Sequence, residues 1–141
     1  LITREQLTNT PVVGLDLLLG LVSFFMIIAI YPLTQVYQHQ EDAKRGDLTV
    51  SRLLGVKGTF VFSSTCFVLM TLSLGVAWKL QLEFGLFVLM STPIVFALYR
   101  WIKAVWSDQK NADYSHAAHF LKVLTCSSNL SFLLLFIWRT L

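Results

Sequence analysis

The chain has 141 residues, of which 55% are hydrophobic and only 13% are charged. A soluble domain carries about twice that share of charged residues and needs more polar surface than this chain has to cover its core. The hydrophobic residues form long blocks without alternation, which excludes a transmembrane β-barrel. The net charge of +3 does not indicate nucleic-acid binding, because the basic residues form no stripe.

Four hydrophobic blocks predict four membrane-spanning helices, at about residues 12–37, 59–78, 84–101 and 120–138. At about 1.5 Å per residue, each block can cross a hydrocarbon core of roughly 30 Å. We therefore predict an all-α, polytopic transmembrane helix bundle that forms a single membrane-embedded domain over residues 1–141.

Local sequence signals predict where the helices begin, turn and kink. Thr10 and Pro11 are expected to begin the first helix, as N-cap and first helical residue. Residues 49–55 predict a short interfacial helix that ends at Gly55, and residues 79–81 predict a tight hairpin. Pro93 is expected to kink the third span. Because the chain begins at Leu1 and no signal-peptide pattern precedes the first block, we expect a processed or partial product.

The ends of the blocks indicate the orientation in the membrane. Tryptophans lie at or just beyond these ends, where aromatic rings favour the lipid–water interface: Trp78, Trp101, Trp106 and Trp138. Eight basic residues lie in or beside the two longer connections: Lys44, Arg45, Arg52, Lys57, Arg100, Lys103, Lys110 and Lys122. Only three lie on the opposite side: Arg4, Lys79 and Arg139. By the positive-inside rule, the two longer connections should face the cytoplasm, and we expect a bacterial cytoplasmic membrane.

The candidate chemistry lies in residues 31–47, at the end of the first block. At about 100° per residue, Tyr31, Gln35, Gln38 and Asp42 fall within roughly 40° of one line on a helix. An ionised residue at mid-depth opposes insertion by at least ~2.5 kcal/mol, so this stripe should face a bundle interior or a wet cavity. Pro32 is expected to kink the helix just before it.

Two interpretations of the acidic and basic residues that follow remain open. Glu41 and Asp42 beside Lys44 and Arg45 are typical of a solvated ion-pair cluster in an ordinary polar loop. The same residue types also suit a magnesium–diphosphate site, because carboxylates bind the metal and basic side chains bind phosphate oxygens.

Residues 38–55 resemble the second aspartate-rich motif of UbiA-type membrane prenyltransferases. The positions that match the motif are Asp42, Lys44, Gly46, Thr49 and the pair Leu54–Gly55. Two positions depart from it: Gln38 replaces the first aspartate, and Leu48 stands where a basic residue is common. Gln38 can still offer a carbonyl oxygen to magnesium, but it contributes no charge.

The resemblance implies a larger protein and a reaction. The family fold is a bundle of about nine transmembrane helices, of which this chain resembles the last four, so the N-terminal helices are missing. The family uses Mg²⁺ to bind a prenyl diphosphate and transfers the isoprenyl group to an aromatic acceptor, as in quinone or pigment biosynthesis. We expect the chain alone to be inactive.

The resemblance also assigns roles to individual residues. Asp42 is the expected catalytic metal ligand, with Gln38 and Glu41 as secondary ligands. Lys44 and Arg45 are expected to contact the diphosphate. Tyr31 and Gln35 are expected to line the substrate pocket. The alternative is a non-catalytic membrane module or a transporter fragment.

The remaining features favour structural roles. His116 and His119 are expected in a solvated cytoplasmic loop, because no third ligand has a complementary spacing. The polar segment 122–131 and residues 63–65 are typical of helix packing, although Asn129 could also contact a substrate. Cys66 and Cys126 are expected to be packing residues rather than a disulfide or metal site. By resemblance, residues 108–114 would be a lid over the cavity.

Overall fold

Four long helices dominate the protein. The computed structural model describes residues 13–140, except the side chains of residues 13, 138 and 139. The helices are α1 (Val13–Gln35), the short α2 (His39–Arg45), α3 (Val50–Ala77), α4 (Leu82–Ser107) and α5 (Tyr114–Thr140). Two 3₁₀ turns, Val36–Gln38 and Gln109–Asn111, join them. All four long helices are long and apolar enough to cross a membrane, which confirms the predicted all-α bundle.

Several predictions fall on residues outside this range. The expected helix start at Thr10 and Pro11 and the basic residue Arg4 lie outside the described residues. The side chains of Trp138 and Arg139 are likewise outside the described part, although both residues belong to α5.

The helices extend beyond the hydrophobic blocks. α4 continues to Ser107, past the predicted end at residue 101, and α5 begins at Tyr114, before the predicted start at residue 120. The prediction that His116 and His119 lie in a loop is therefore wrong, because both are on the first turns of α5. Intrahelical hydrogen bonds satisfy the backbone without hydrophobic side chains, so a helix does not need to end where its apolar block ends.

Pro93 lies inside α4. A proline has no N–H and so leaves the carbonyl four residues earlier without its helical donor. Here the Thr92 hydroxyl donates to the Leu89 carbonyl at 2.7 Å, which satisfies that carbonyl.

The bundle consists of two helix pairs. α1 packs along α3, and α4 packs along α5, whereas α3 and α4 make few contacts with each other. A buried cluster joins the pairs near the C-terminal ends of α1 and α4: Leu33, Val36, Phe60, Ala97, Trp101, Val105, Ala117 and Phe120. We call this end of the bundle the polar end, because the connections 36–49 and 108–113 lie there.

Trp101 is the central aromatic residue of this cluster. Its ring meets the edge of Phe60 at a centroid distance of 4.8 Å and lies 5.8 Å from Phe120. Only 2% of Trp101 is exposed, so its ring packs against protein side chains rather than against lipid. Trp106, by contrast, is 43% exposed, and its ring lies 5.7 Å from the Lys57 amine.

The opposite end of the bundle is the hairpin end, where a tight turn joins α3 to α4. Lys79 and Leu80 adopt positive φ angles of 49° and 54°, and the Leu80 N–H donates to the Gly75 carbonyl at 3.0 Å. Trp78 packs edge-on against Phe87 at 5.9 Å. The predicted hairpin at residues 79–81 is confirmed.

The connection between α4 and α5 is held against α4. The Trp101 indole N–H donates to the Asn111 carbonyl, and the Asn111 amide donates to the Ala104 carbonyl, both at 2.9 Å. These bonds hold Asn111 against α4. Asn111 lies in residues 108–114, the segment that the resemblance predicts to be a lid.

Asp113 caps the first turn of α5. Its carboxylate accepts from the backbone N–H and the ring Nδ1 of His116, each at 2.9 Å. Partial burial acts to raise the pKa of Asp113, but these hydrogen bonds outweigh it and hold that pKa below its ordinary value.

The small residues predicted to serve in packing differ among themselves. Ser63 is fully buried, whereas Thr65 is exposed and donates to the Val61 carbonyl at 2.9 Å. Both cysteines are free; Cys66 is buried and Cys126 is exposed.

Candidate functional site

A change of helix type precedes the polar turn. α1 ends at Gln35, the 3₁₀ turn Val36–Gln38 follows it, and α2 begins directly after this turn at His39. Gly46 ends α2 with a left-handed φ of 78°, and the Asp47 N–H donates to the Asp42 carbonyl at 2.9 Å. Glycine adopts this conformation without a Cβ penalty and so ends helices of this kind. The segment predicted as either helix or loop is therefore helical to Arg45.

Asp42 is the buried carboxylate of this site. It is 8% exposed, and its Oδ2 accepts a hydrogen bond from the Thr49 hydroxyl at 3.3 Å. Thr49 is the N-cap of α3, and its hydroxyl also accepts from the Arg52 N–H at 3.4 Å. The start of α3 thus faces Asp42, and the Thr49 hydroxyl is the side-chain donor to that carboxylate.

Arg52 closes the turn between α2 and α3. Its Nη1 donates to the Asp42 carbonyl at 3.2 Å and also to the Asp47 carbonyl. The guanidinium therefore bonds backbone oxygens that the end of α2 leaves without helical donors. This contact also places a positive charge beside Asp42.

A chain of hydrogen bonds crosses from α2 to α3. His39 Nε2 and Ser51 Oγ lie 2.6 Å apart, and Ser51 Oγ and Thr59 Oγ1 lie 3.0 Å apart. Ser51 and Thr59 are fully buried. Thr59 also donates to the Gly55 carbonyl at 2.8 Å.

Gly55 produces the bend that brings Ser51 and Thr59 together. Its φ of 68° and ψ of 171° interrupt α3, so the helix begins with a short piece, as the sequence predicts. This combination of angles is essentially restricted to glycine.

The hydrogen-bond chain was not predicted from the sequence. His39 lies inside the motif but matches none of its positions, and Ser51 and Thr59 lie on opposite sides of the bend. The bend at Gly55 is the sequence feature that could have indicated it.

Glu41 does not share the environment of Asp42. It forms an ion pair with Arg45 at 2.9 Å, and both side chains are about two-thirds exposed, at 66% and 65%. Consecutive residues on a helix differ by about 100°, which directs Glu41 outward when Asp42 points inward. Lys44 is also exposed.

The residues expected along one line are split between environments. Tyr31 is 59% exposed. Gln35 is half-buried, and the Oε1 atom of Gln35 is buried without a hydrogen-bond partner in the described part of the chain. The half-buried Gln38 donates to the Tyr37 hydroxyl at 2.9 Å. Three 3₁₀ residues advance the helix by about 60° more than α-helical residues do, which shifts Tyr31 relative to Asp42.

The described residues contain no group of three or more histidine, cysteine, aspartate or glutamate side chains that could hold a metal ion together. Asp42 offers one carboxylate, and Gln38 lies one turn before it on the same side of the short helical segment. This arrangement can supply part of a cation site.

Comparisons of the chain with protein-family models, with curated proteins and with solved structures found no match.

Proposed function

We propose that this chain is the C-terminal part of a UbiA-type membrane prenyltransferase, which moves an isoprenyl group from a prenyl diphosphate to an aromatic acceptor. The observation that carries the proposal is Asp42, an 8% exposed carboxylate at the end of a membrane-spanning helix. Its carboxylate accepts one side-chain hydrogen bond, from the Thr49 hydroxyl, so its oxygens keep acceptor capacity for a further partner. A cation supplied with the substrate is such a partner.

The side chains of the polar end are compatible with a shared magnesium site. Mg²⁺ keeps several waters and is usually bound by one or two carboxylates together with substrate phosphates. Asp42 supplies one carboxylate and Gln38 can supply an amide oxygen. Glu41 is engaged by Arg45, so further carboxylates should come from the missing helices.

The chain's own residues would have distinct tasks in this reaction. When bound, Mg²⁺ would stabilise the diphosphate as a leaving group. Lys44 has an exposed basic group that can bind phosphate oxygens, whereas Arg45, the other expected phosphate contact, would first have to leave its ion pair with Glu41. Arg52 bonds the turn and positions Asp42. Tyr31 is 59% exposed, so its aromatic ring can stabilise a developing allylic cation only if the missing helices enclose it beside the substrate.

The proposed orientation follows from the charges. The polar end carries most of the basic residues, so we place it in the cytoplasm of a bacterial cell, where prenyl diphosphates are soluble. The apolar flanks of the bundle would then hold the prenyl tail beside the lipid.

A non-catalytic membrane module remains the second candidate, and one observation favours it. Asp42, Thr49 and Arg52 bond one another and the turn backbone, so they also form a self-contained structural cap. In that case the polar end would stabilise the bundle and bind no diphosphate.

The proposal is tested with the complete protein in membranes and a radiolabelled prenyl diphosphate. Asp42→Ala should lower prenyl transfer by roughly 100-fold or more, a loss comparable to that of a single group that stabilises developing charge. Asp16→Ala removes an exposed carboxylate at the other end of α1 and should leave transfer unchanged. Full activity of the Asp42 variant would reject the site, and transfer by the 141-residue chain alone would reject the need for the missing helices.

A further inference from the structure

α5 has two faces of different composition. The face toward α4 carries the buried residues Ala117, Phe120 and Ser131. The opposite face carries five exposed polar or small residues, which we call the α5 stripe: Ser115, His119, Lys122, Cys126 and Asn129. Their spacing alternates between four and three residues, so they lie within about 80° around the helix. The stripe is therefore one continuous face that the described helices leave uncovered.

This face runs from the polar end into the membrane. α5 has 27 residues and is therefore about 40 Å long. Asn129 lies about 22 Å from the start of the helix at Tyr114, close to its middle. In the described structure the Asn129 side chain donates to the Thr125 carbonyl of its own helix at 2.9 Å.

Contact with the hydrocarbon of lipid is energetically unfavourable for the polar side chains of the α5 stripe. An amide in hydrocarbon is unfavourable unless its donors and acceptors are bonded. Lys122 lies about 12 Å from the start of α5, at the polar-end side of the predicted span 120–138. A lysine inside a membrane-spanning helix usually faces a partner charge or a wet cavity. Heptad-like spacing with small residues is how membrane helices pack closely against one another.

We propose that the α5 stripe binds a fifth transmembrane helix, from outside these 141 residues, that carries a carboxylate at the depth of Lys122. The same helix should bring a hydrogen-bonding side chain to the depth of Asn129. Opposite Ser115 and Cys126 it can approach closely, because both side chains are small. The interface does not depend on the proposed enzymatic reaction.

A second copy of this chain does not fit the stripe. Two copies inserted in the same direction are related by an axis along the membrane normal, which brings equal residues together. Lys122 would then face Lys122 at one depth, and like charges repel strongly where water is scarce. The charge of the stripe therefore selects a different, acidic helix.

The test uses the 141-residue chain in phosphatidylcholine vesicles with synthetic polyleucine helices as probes. The acidic probe has a glutamate matched to Lys122, an asparagine matched to Asn129 and a cysteine matched to Cys126. The neutral probe has the cysteine alone. Mild oxidation should link the acidic probe to Cys126 at least tenfold more than the neutral probe, whereas the buried Cys66 should not react.

Variants separate the stripe from general membrane association. Lys122→Leu combined with Asn129→Leu should remove the preference for the acidic probe. Lys103→Leu, which removes an exposed lysine from α4, should keep it. Because all three residues are exposed, circular dichroism should show the same helix content in each variant.

Three outcomes would overturn the proposal. These are equal linkage to both probes, preferential Cys126–Cys126 linkage between copies, or reaction of Cys126 with a charged, membrane-impermeant thiol reagent without preference for the acidic probe. The last result would make the stripe the wall of a water-filled groove.

Discussion

The polar end and the hairpin end of the bundle are stabilised in different ways. At the polar end, Phe60 and Trp101 are almost completely buried and join both helix pairs. At the hairpin end, Leu80 and Leu82 are 73% and 62% exposed. A partly open pocket of about 250 Å³ lies there, lined by Trp78, Gln81, Glu83, Phe132, Leu135 and Phe136.

The difference indicates where the chain itself determines its structure. Side chains buried against one another fix the turn that carries Asp42, whereas apolar side chains of the hairpin end are left for lipid to cover. Polar groups held between packed helices are also held in position, as a binding site requires. The polar end is therefore the part of the molecule where we expect function.

The largest expected effect on stability is the loss of the central aromatic residue. Trp101→Ala should lower the free energy of unfolding by about 3–5 kcal/mol, because it leaves a cavity where both helix pairs meet. Trp78→Ala at the half-buried hairpin end should lower it less. Unfolding in mixed detergent micelles, followed by circular dichroism, measures both. Equal losses would contradict the difference between the two ends.

An intermediate effect is expected at the bend in α3. A Cβ added to Gly55 meets no atom within 4 Å, so Gly55→Ala reports backbone strain alone. The positive φ of 68° should lower the free energy of unfolding by about 1–3 kcal/mol. Gly85→Ala, in a helical and open position of α4, is the matched control and should be neutral or stabilising. An unchanged stability for Gly55→Ala would show that the bend is not required.

The smallest effect concerns the cap of α5. Asp113→Ala should lower stability by about 1 kcal/mol at pH 7, because it removes the N-cap acceptor. The pKa of Asp113 is lowered in the folded state, so its contribution as a carboxylate is present above the unfolded pKa of about 3.9. That contribution is lost as the pH falls through the lower, folded pKa.

Thermal unfolding in detergent at pH 7 and pH 3 checks this prediction. The advantage of the wild type over Asp113→Ala should shrink at the lower pH. Asp113→Asn keeps an N-cap acceptor without a titratable group and serves as the control. The same difference at both pH values would show that the charge of Asp113 does not contribute.

Much of the fold follows from local sequence properties. The four spans follow from hydrophobic blocks, and the bend follows from Gly55 between apolar residues. These features depend on the backbone's need for hydrogen bonds in lipid, which the sequence expresses directly. The ends of the helices were less predictable, because polar residues at Ser107 and Tyr114 continue or begin a helix without interrupting its hydrogen bonds.

The candidate site was predicted only in part. Asp42 is buried, as the predicted polar line from Tyr31 to Asp42 requires. The 3₁₀ turn, however, changes the helical phase and leaves Tyr31 59% exposed. The contact of His39 with Ser51 depends on how α2 folds back onto α3. Burial of Trp101 depends in the same way on the meeting of two helix pairs, which no local pattern reports.

Binding of a prenyl diphosphate at the polar end tests the central claim most directly. With the complete protein, equilibrium binding of radiolabelled geranyl diphosphate should require Mg²⁺ and weaken at least tenfold in Asp42→Asn. That variant removes the charge while it keeps an oxygen acceptor for Thr49. Equal, magnesium-independent binding by both proteins would contradict the claim that Asp42 is held in the bundle to bind a cation with its diphosphate.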